Sequence, residues 1–328
     1  MSYRTRVGVL RGGPSNEYEV SLNSGAAVLE ALRDHFADRY EPRDIFIDRQ
    51  GVWHVDGLPM RPEQVVPKID VAVNALHGAY GEDGTVQALF ETHGLPHTGS
   101  DSVGSAVAMN KVLSKKIFRD HGIKTPFGRE ISSADILESA GDPSFARELF
   151  ESILLPAVVK PVASGSSVGV AIVRSYDGLM TALSAAAEHS KSVMIEEFIP
   201  GIEATCGVVE NLRGQDLYVL PPIEIRPKTQ FFDYRAKYQG QSEEIVPATF
   251  AETTKREIEA LARKIHQVLG LKHYSRSDFI IHPRRGVYAL EANTLPGLTS
   301  ESLMPKALRA VGSSVQEFVG HIIGLALA

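Results

Sequence analysis

Apolar residues fall into short runs punctuated by glycine and proline, and the character of these runs changes along the chain. Arg6–Leu10 has the pattern of a short buried strand; the loop Arg11-Gly12-Gly13-Pro14-Ser15 follows, and a helix is expected from Ser15 or Asn16. Strand, glycine loop and helix make a βα unit. Ile69–Leu76 predicts a second buried strand that ends in His77-Gly78-Ala79-Tyr80-Gly81-Glu82-Asp83-Gly84, with a helix over Thr85–Thr92. Polar residues just past a strand end stand where open α/β sheets bind ligands. The Gly/Ser-rich stretch Gly99–Gly104 marks a domain boundary. Beyond it Ala106, Met109, Leu113 and Ile117 recur at helical spacing, a core stripe that leaves Lys111 off the buried face.

From Leu155 the pattern becomes strands with short loops: Ala157–Lys160, Val168–Val173, Val193–Phe198, Ala204–Val209 and Leu217–Ile225. The helix expected over Thr254–Leu269 carries Ile258, Leu261, Ile265 and Val268 on one face and stops at Gly270, a left-handed cap. Ser314 and Glu317 form a capping box for the last helix. Near the C-terminus Arg276-Ser277-Asp278-Phe279 and Glu291-Ala292-Asn293 flank the turn residues His282-Pro283-Arg284-Arg285-Gly286, which predicts a hairpin. With the turn centred near Arg284 and Arg285, Asp278 falls opposite Glu291, and Asn293 shares a face with Glu291. Two carboxylates and an amide, with no His or Cys among them, suit a hard cation such as Mg²⁺.

A chain of 328 residues is longer than one core usually serves, so two or three domains are expected. A formal charge of −6 and the lack of a Lys/Arg-rich run argue against a nucleic-acid surface. The single cysteine, Cys206, excludes an internal disulfide and fits a reducing compartment, as a packed structural thiol. Val7–Leu10 is too short for a signal sequence, and Val315–Ala328 is interrupted by Gln316, Glu317 and His321. The expectation is a cytoplasmic protein without a membrane segment.

Lys160 ends an apolar strand and precedes Val162-Ala163-Ser164-Gly165-Ser166-Ser167, a placement in which one ammonium and backbone N–H groups can surround phosphate oxygens. A lysine at a strand end, taken alone, is more often a surface residue. No Walker-type P-loop occurs. Phe231-Phe232-Asp233-Tyr234-Arg235-Ala236-Lys237-Tyr238 mixes charge and aromatics without a period, as core-plus-surface alternation or a lid over a site would.

Together these blocks resemble the ATP-grasp ligases and, among them, the D-alanine–D-alanine ligase family. The resemblance rests on Gly12–Ser21, His77-Gly78 with Gly81–Gly84, Asn110-Lys111, Lys160-Pro161 with Gly165–Gly169, Asp233–Tyr238, and the hairpin ending in Asn293–Gly297, in family order over nearly the whole chain. It implies an α/β and α+β, three-domain ATP-grasp fold: an N-terminal Rossmann-like domain over 1–103, a central subdomain over 104–199, and a C-terminal subdomain over 200–328 with metal site and lid. Glu196, its neighbour Glu197 and the backbone near Ile199 would meet adenine, Glu203 the ribose, and Phe231 the nucleotide cleft. Lys111, Lys160, Ser167 and Lys237 would serve the phosphates, and Asp278, Glu291 and Asn293 two Mg²⁺ or Mn²⁺ ions, with a monovalent cation as a further candidate.

The implied reaction joins two D-alanines through an acyl phosphate, for peptidoglycan precursor synthesis. Glu17 would anchor the first ammonium group and His77 its carboxylate; Arg276 and the Gly297 N–H would form the oxyanion hole; Ser302, next to Leu303, would hold the second carboxylate. Glu17, Ser166 and Tyr238 would latch the lid. Tyr238, where relatives making D-alanyl-D-lactate generally carry histidine, favours the dipeptide over D-lactate or D-serine products. A silent nucleotide-binding homologue is the alternative of a different class, but no metal ligand and no Arg276 is missing. The resemblance also implies a homodimer.

Overall fold

A computed structural model of the chain describes residues 4–139, 142–163, 169–227 and 242–328. Its first sheet holds β1 (Thr5–Gly12), β2 (Tyr40–Ile47), β3 (Trp53–Val55), β4 (Leu58–Met60) and β5 (Val71–Asn74) in the order β4-β3-β2-β1-β5. Both neighbours of β1 run parallel to it, and helix α1 (Tyr18–His35) is the crossover from β1 to β2. Alternation along β1 and β5 sends Val7, Val9, Val71 and Val73 towards Val28, Leu29 and Leu32 of α1. Leu10 and Ala72 instead join Ile45, Ile47, Trp53 and Phe90 on the opposite side. Gly12 closes β1 at φ +93°, and a Cβ there would stand 2.2 Å from the Ile47 carbonyl oxygen, so the turn into α1 requires glycine. Helices α2 (Pro62–Val65) and α3 (Thr85–Thr92) complete this layer.

The second sheet is antiparallel, β6 (Gly128–Ser132), β7 (Ala157–Pro161), β8 (Ala171–Val173) and β9 (Ser192–Glu197) in the order β6-β9-β7-β8. Helices α6 (Ser133–Glu138), α7 (Pro143–Glu151) and α8 (Tyr176–Ala187) bury one face of it, with Ile136, Leu149, Leu179 and Leu183 against Val159, Val193 and Ile195. Because strand side chains alternate, Lys160 and Glu196 point the other way. The third sheet orders β13 (Ser242–Ile245), β12 (Ile223–Pro227), β10 (Ile202–Glu210), β14 (Tyr274–His282) and β15 (Gly286–Asn293), with β11 (Leu217–Val219) on the rest of β10. The expected strand Leu217–Ile225 is therefore two, because Pro221 and Pro222 offer no N–H to a ladder. Helix α9 (Glu252–Val268) packs Ile258, Ala262 and Ile265 on this sheet and ends at Gly270, φ +64°.

Between these layers run α4 (Ser102–Met109) and α5 (Lys111–Asp120), and here the sequence expectation is corrected. Asn110 breaks the register: it caps α5 by accepting hydrogen bonds at its Oδ1 from the Val112 and Leu113 N–H groups, 3.0 and 3.1 Å. Ala106 and Leu113 are exposed, while Ala108, Lys111, Ser114, Lys115 and Phe118 are buried. The inward face is polar because it looks into the site, so an apolar stripe mispredicts it. Helices α10 (Leu303–Ala310) and α11 (Val315–Ala326) close the fold; Ser314 and Glu317 cap α11 reciprocally, as expected. Phe318, Val319, Ile322 and Ile323 of α11 belong to the same core as Val28, Leu29 and Leu32 of α1. Cys206 is buried on β10, where its thiol donates to the Leu220 carbonyl at 3.2 Å and burial raises its pKa well above the usual thiol value. It is the packed structural thiol expected. Among the described residues no helix is long and apolar enough to cross a membrane.

Candidate active site

Three clusters converge where the sheets face one another. The first is on the β14–β15 hairpin, where Asp278 pairs with Glu291 and Arg276 with Asn293, so all four side chains share one face. A register shift follows directly after Asp278. Asp278 accepts from Arg276 through Nε at 2.9 Å and Nη2 at 3.0 Å, from Thr205 Oγ1 at 2.6 Å, and from Asn293 Nδ2 at 3.1 Å. With its Nδ2 committed to Asp278, Asn293 keeps an amide oxygen to offer. Lys111 Nζ stands 3.3 Å from Glu291 Oε2. Two side-chain cations thus already stand on the two carboxylates. Among the described residues no group of three or more His, Cys, Asp or Glu side chains is placed to hold a metal, so an ion here would rest on the two carboxylates, the Asn293 oxygen and outside ligands.

The second cluster joins α5 to the central sheet. The Glu196 carboxylate is ion-paired at 2.8 Å to Lys115 through Oε1 and at 2.8 Å to Lys160 through Oε2, all three side chains being buried. Burial alone would raise the Glu196 carboxyl, but the two ammonium groups more than offset this and hold its pKa below the ordinary range. Lys160 is therefore no surface lysine. Glu197, on the opposite strand face, accepts from the Phe127 N–H at 3.1 Å and pairs with Arg285 Nη1 at 3.1 Å, which ties β9 to the hairpin turn. Ile199 is buried just past β9, and Glu203 lies on β10 opposite Ile280.

The third cluster lies at the ends of β1 and β5. Glu17 precedes α1, and its Oε2 is 2.9 Å from where a Gly78 Cβ would stand; with Gly78 at φ +74°, the carboxylate depends on a glycine there. His77 is buried, with Nε2 2.8 Å from Ser24 Oγ and Nδ1 3.5 Å from Glu82 Oε1. Ser24 Oγ also accepts the Leu298 N–H at 3.3 Å, linking α1 to the loop that carries Gly297. Ser302 Oγ lies 2.8 Å from the position of a Gly297 Cβ and 2.8 Å from Thr299 Oγ1. Ser24 and Leu298 thus link His77, with Glu17 beside it, to the loop that carries Gly297 and Ser302.

The structure brings Lys111, Lys160, Glu196, Arg276, Asp278, Glu291 and Asn293 into ion pairs and hydrogen bonds, and Glu17, His77, Gly297 and Ser302 into a second group. Ser166, Ser167, Phe231, Lys237 and Tyr238 lie outside the described residues. Sequence reasoning passed over Lys115, Ser24, Thr205 and Glu82. The i, i+4 spacing of Lys115 from Lys111 is the one signal that pointed to it.

Comparison with known proteins agrees with this arrangement along the chain. The family model described as D-ala D-ala ligase C-terminus matches residues 117–324, and that for the D-ala D-ala ligase N-terminus matches 6–67 and 55–100. The D-alanine–D-alanine ligase of Syntrophobacter fumaroxidans is 39% identical over 326 residues, 98% of this chain and 97% of that protein. That of Trichlorobacter lovleyi is 40% identical over 320 residues, 97% of this chain and 93% of that protein. Among solved structures, VanG D-Ala:D-Ser ligase from Enterococcus faecalis superposes with a TM-score of 0.82 at 29% identity, covering 99% of this chain and 100% of that one. The D-alanine–D-alanine ligase from Bacillus anthracis complexed with ATP gives 0.79 at 32% identity, covering 98% and 97%.

Proposed function

The chain belongs to the D-alanine–D-alanine ligase family and is an ATP-dependent ligase of the ATP-grasp fold, and from that premise we propose that it condenses two D-alanines to D-alanyl-D-alanine for the bacterial cell wall. The observation that carries the reading is that the buried Lys111 and Lys160 stand against Glu291 of the acidic hairpin and Glu196, while Glu17, His77, Gly297 and Ser302 are linked through Ser24 and Leu298. A charged nucleotide tail and a small zwitterion fit those two halves.

In the proposed reaction the carboxylate of one D-alanine attacks the γ-phosphorus, giving D-alanyl phosphate and ADP. The amine of the second attacks the acyl carbon; the tetrahedral intermediate collapses with loss of phosphate, and the nucleophilic nitrogen gives up its extra proton to solvent. Lys111 and Lys160 hold phosphate oxygens, and Glu196 faces the adenine amino group. Glu17 holds the first ammonium group and His77 its carboxylate, with Ser24 fixing the imidazole. Arg276 and the Gly297 N–H are the donors for the oxyanion, and Ser302 receives the second carboxylate. Asp278, Glu291 and Asn293 would hold Mg²⁺ or Mn²⁺, the all-oxygen donor set and the two cations already on its carboxylates supporting the fit. When bound, the metal neutralises phosphate charge.

The division into units at 1–103, 104–199 and 200–328 belongs to this proposal, each containing one sheet. So do a cytoplasmic setting, supported by the single buried thiol, and a homodimer, supported by family membership. The test is incubation with ATP, Mg²⁺ and equal D-alanine, D-serine and D-lactate, reading phosphate release and product mass. D-Alanyl-D-alanine with one phosphate per bond formed is expected. A majority of D-alanyl-D-serine would transfer the reading to the activity in the VanG name, and phosphate release without a condensed product would overturn it.

A further inference from the structure

Lys115 is a buried charge for which the proposed reaction has no use. Its side chain is 1% exposed, its Nζ is 2.8 Å from Glu196 Oε1, and the same ammonium donates to Thr125 Oγ1 at 3.0 Å. Its ammonium is enclosed between Glu196 and Thr125, away from solvent. Burial of an ammonium group is costly unless its partners recover the lost hydration, so its place needs a reason.

The reason lies in what its neighbours must do. Helix α5 extends two lysines one turn apart: Lys111 reaches Glu291 on β15, and Lys115 reaches Glu196 on β9. Glu196 has a second partner, Lys160, on its other oxygen. On the proposed reading Lys160 turns to a phosphate when the nucleotide enters. Were Lys160 the only counter-ion, that movement would leave Glu196 ionised, buried and unpaired, and the carboxyl would take up a proton or swing away. Lys115 has no such second engagement. It keeps Oε1 in place and leaves Oε2, the oxygen vacated by Lys160, free to accept from the nucleobase.

We propose that Lys115 is a positioning residue that anchors Glu196 as an ionised acceptor, so that Lys160 can move to phosphate and the base pocket selects a purine carrying an exocyclic 6-amino group. The inference rests on the reading that places adenine at Glu196 and phosphate at Lys160. An ionised carboxylate accepts hydrogen bonds only, so it rewards the amino group of adenine and repels the 6-carbonyl oxygen of hypoxanthine. Burial brings the Lys115 ammonium down to about 8, against the pull of Glu196 and, more weakly, Glu291; phosphate charge nearby favours its protonated form.

The test uses the full-length protein with ATP and ITP as alternative phosphoryl donors, and compares Lys115→Met, Lys115→Arg, Glu196→Gln and the Lys115→Met/Glu196→Gln pair. Lys115→Met is expected to raise KM for ATP about tenfold and to narrow the ATP-over-ITP preference about tenfold, while KM for D-alanine changes less than twofold; Lys115→Arg is expected to restore most of the preference. If Lys115→Met fails to fold, the double variant, which has no unpaired carboxylate, carries the test: it should match Glu196→Gln alone in both nucleotide parameters. The proposal is overturned if Glu196→Gln erodes the preference and Lys115→Met does not, or if the double variant is worse than Glu196→Gln in nucleotide selectivity. If Glu196→Gln changes neither KM for ATP nor the preference, adenine is not at Glu196, and the reading beneath the proposal fails with it.

Discussion

Replacing Arg276 by alanine separates its pairing with Asp278 from the oxyanion contact proposed for it. The guanidinium makes two charge-assisted hydrogen bonds to Asp278, 2.9 and 3.0 Å, with the pair only 15% and 18% exposed. Such bonds contribute roughly 1.5–3 kcal/mol each. Asp278 keeps Thr205 and Asn293 as donors, so about 2–3 kcal/mol is the expected net loss without metal. For the proposed unit 200–328 that lowers Tm by about 6–15 °C. On the proposed metal placement Mg²⁺ with nucleotide would supply the missing positive charge at Asp278, so most of that drop should disappear when both are present. The chemical step is a different matter: loss of an oxyanion donor costs about 10²–10³ in rate, and no metal at Asp278 restores it. Thermal melting in EDTA and in Mg²⁺ with ATP, beside kcat and KM for both D-alanine sites, reads the two effects apart. A Tm drop indifferent to Mg²⁺ would refute the placing of the metal at Asp278, and a defect confined to KM would make Arg276 a binding residue instead.

Glu291→Gln should abolish turnover while circular dichroism stays native, because one carboxylate fewer weakens the proposed metal site and removes the Lys111–Glu291 ion pair; near-wild-type rates at ordinary Mg²⁺ would contradict it. His273 has its pKa lowered to about 4 from an ordinary 6.5, by burial first and by His97, Lys272 and His266 around it, with Glu210 opposing. The folded state thus refuses a proton that the unfolded chain accepts, and stability falls as pH drops from about 6.5 towards 4. The full gap corresponds to about 3 kcal/mol, discounted for partial exposure to on the order of 2 kcal/mol. Urea titrations at pH 7 and 5 should show the part of that loss above pH 5, about 1 kcal/mol, in wild type and less of it in His273→Asn, which tolerates the φ of +61° at this position; equal losses would assign the acid sensitivity elsewhere. Tyr238→His, outside the described residues, should raise the share of D-alanyl-D-lactate below pH 7, since a cationic imidazole repels an ammonium group but not a hydroxy acid; product masses independent of pH would remove Tyr238 as the selectivity element.

Much of this site is legible in the chain because the hairpin is local: Asp278, Glu291 and Asn293 lie within one turn of each other in sequence, and period-two alternation fixes their common face. Lys160 announced itself by ending an apolar strand. Lys115 did not, because between Lys111 and Lys116 it looks like one more charge on a solvated helix, and only the Glu196 carboxylate arriving from β9 makes its face an interior one. Ser24 was hidden for a similar reason: its partner is Leu298, 274 positions away. Helix α8 was legible and passed over, for Leu179, Ala182, Leu183 and Ala186 have helical spacing within a stretch dominated by strands. Glu197, expected near adenine from its place beside Glu196, pairs its side chain with Arg285 on the other face of the strand.

The shared core of α1 and α11 has a consequence for how the protein is made. Val28, Leu29 and Leu32 leave the ribosome about 290 residues ahead of Phe318, Val319, Ile322 and Ile323, which share their core. Domains of a nascent chain commonly fold in order of emergence. Here that flank of α1 stays uncovered until α11 has emerged, and during that interval it offers an apolar surface for a chaperone to hold.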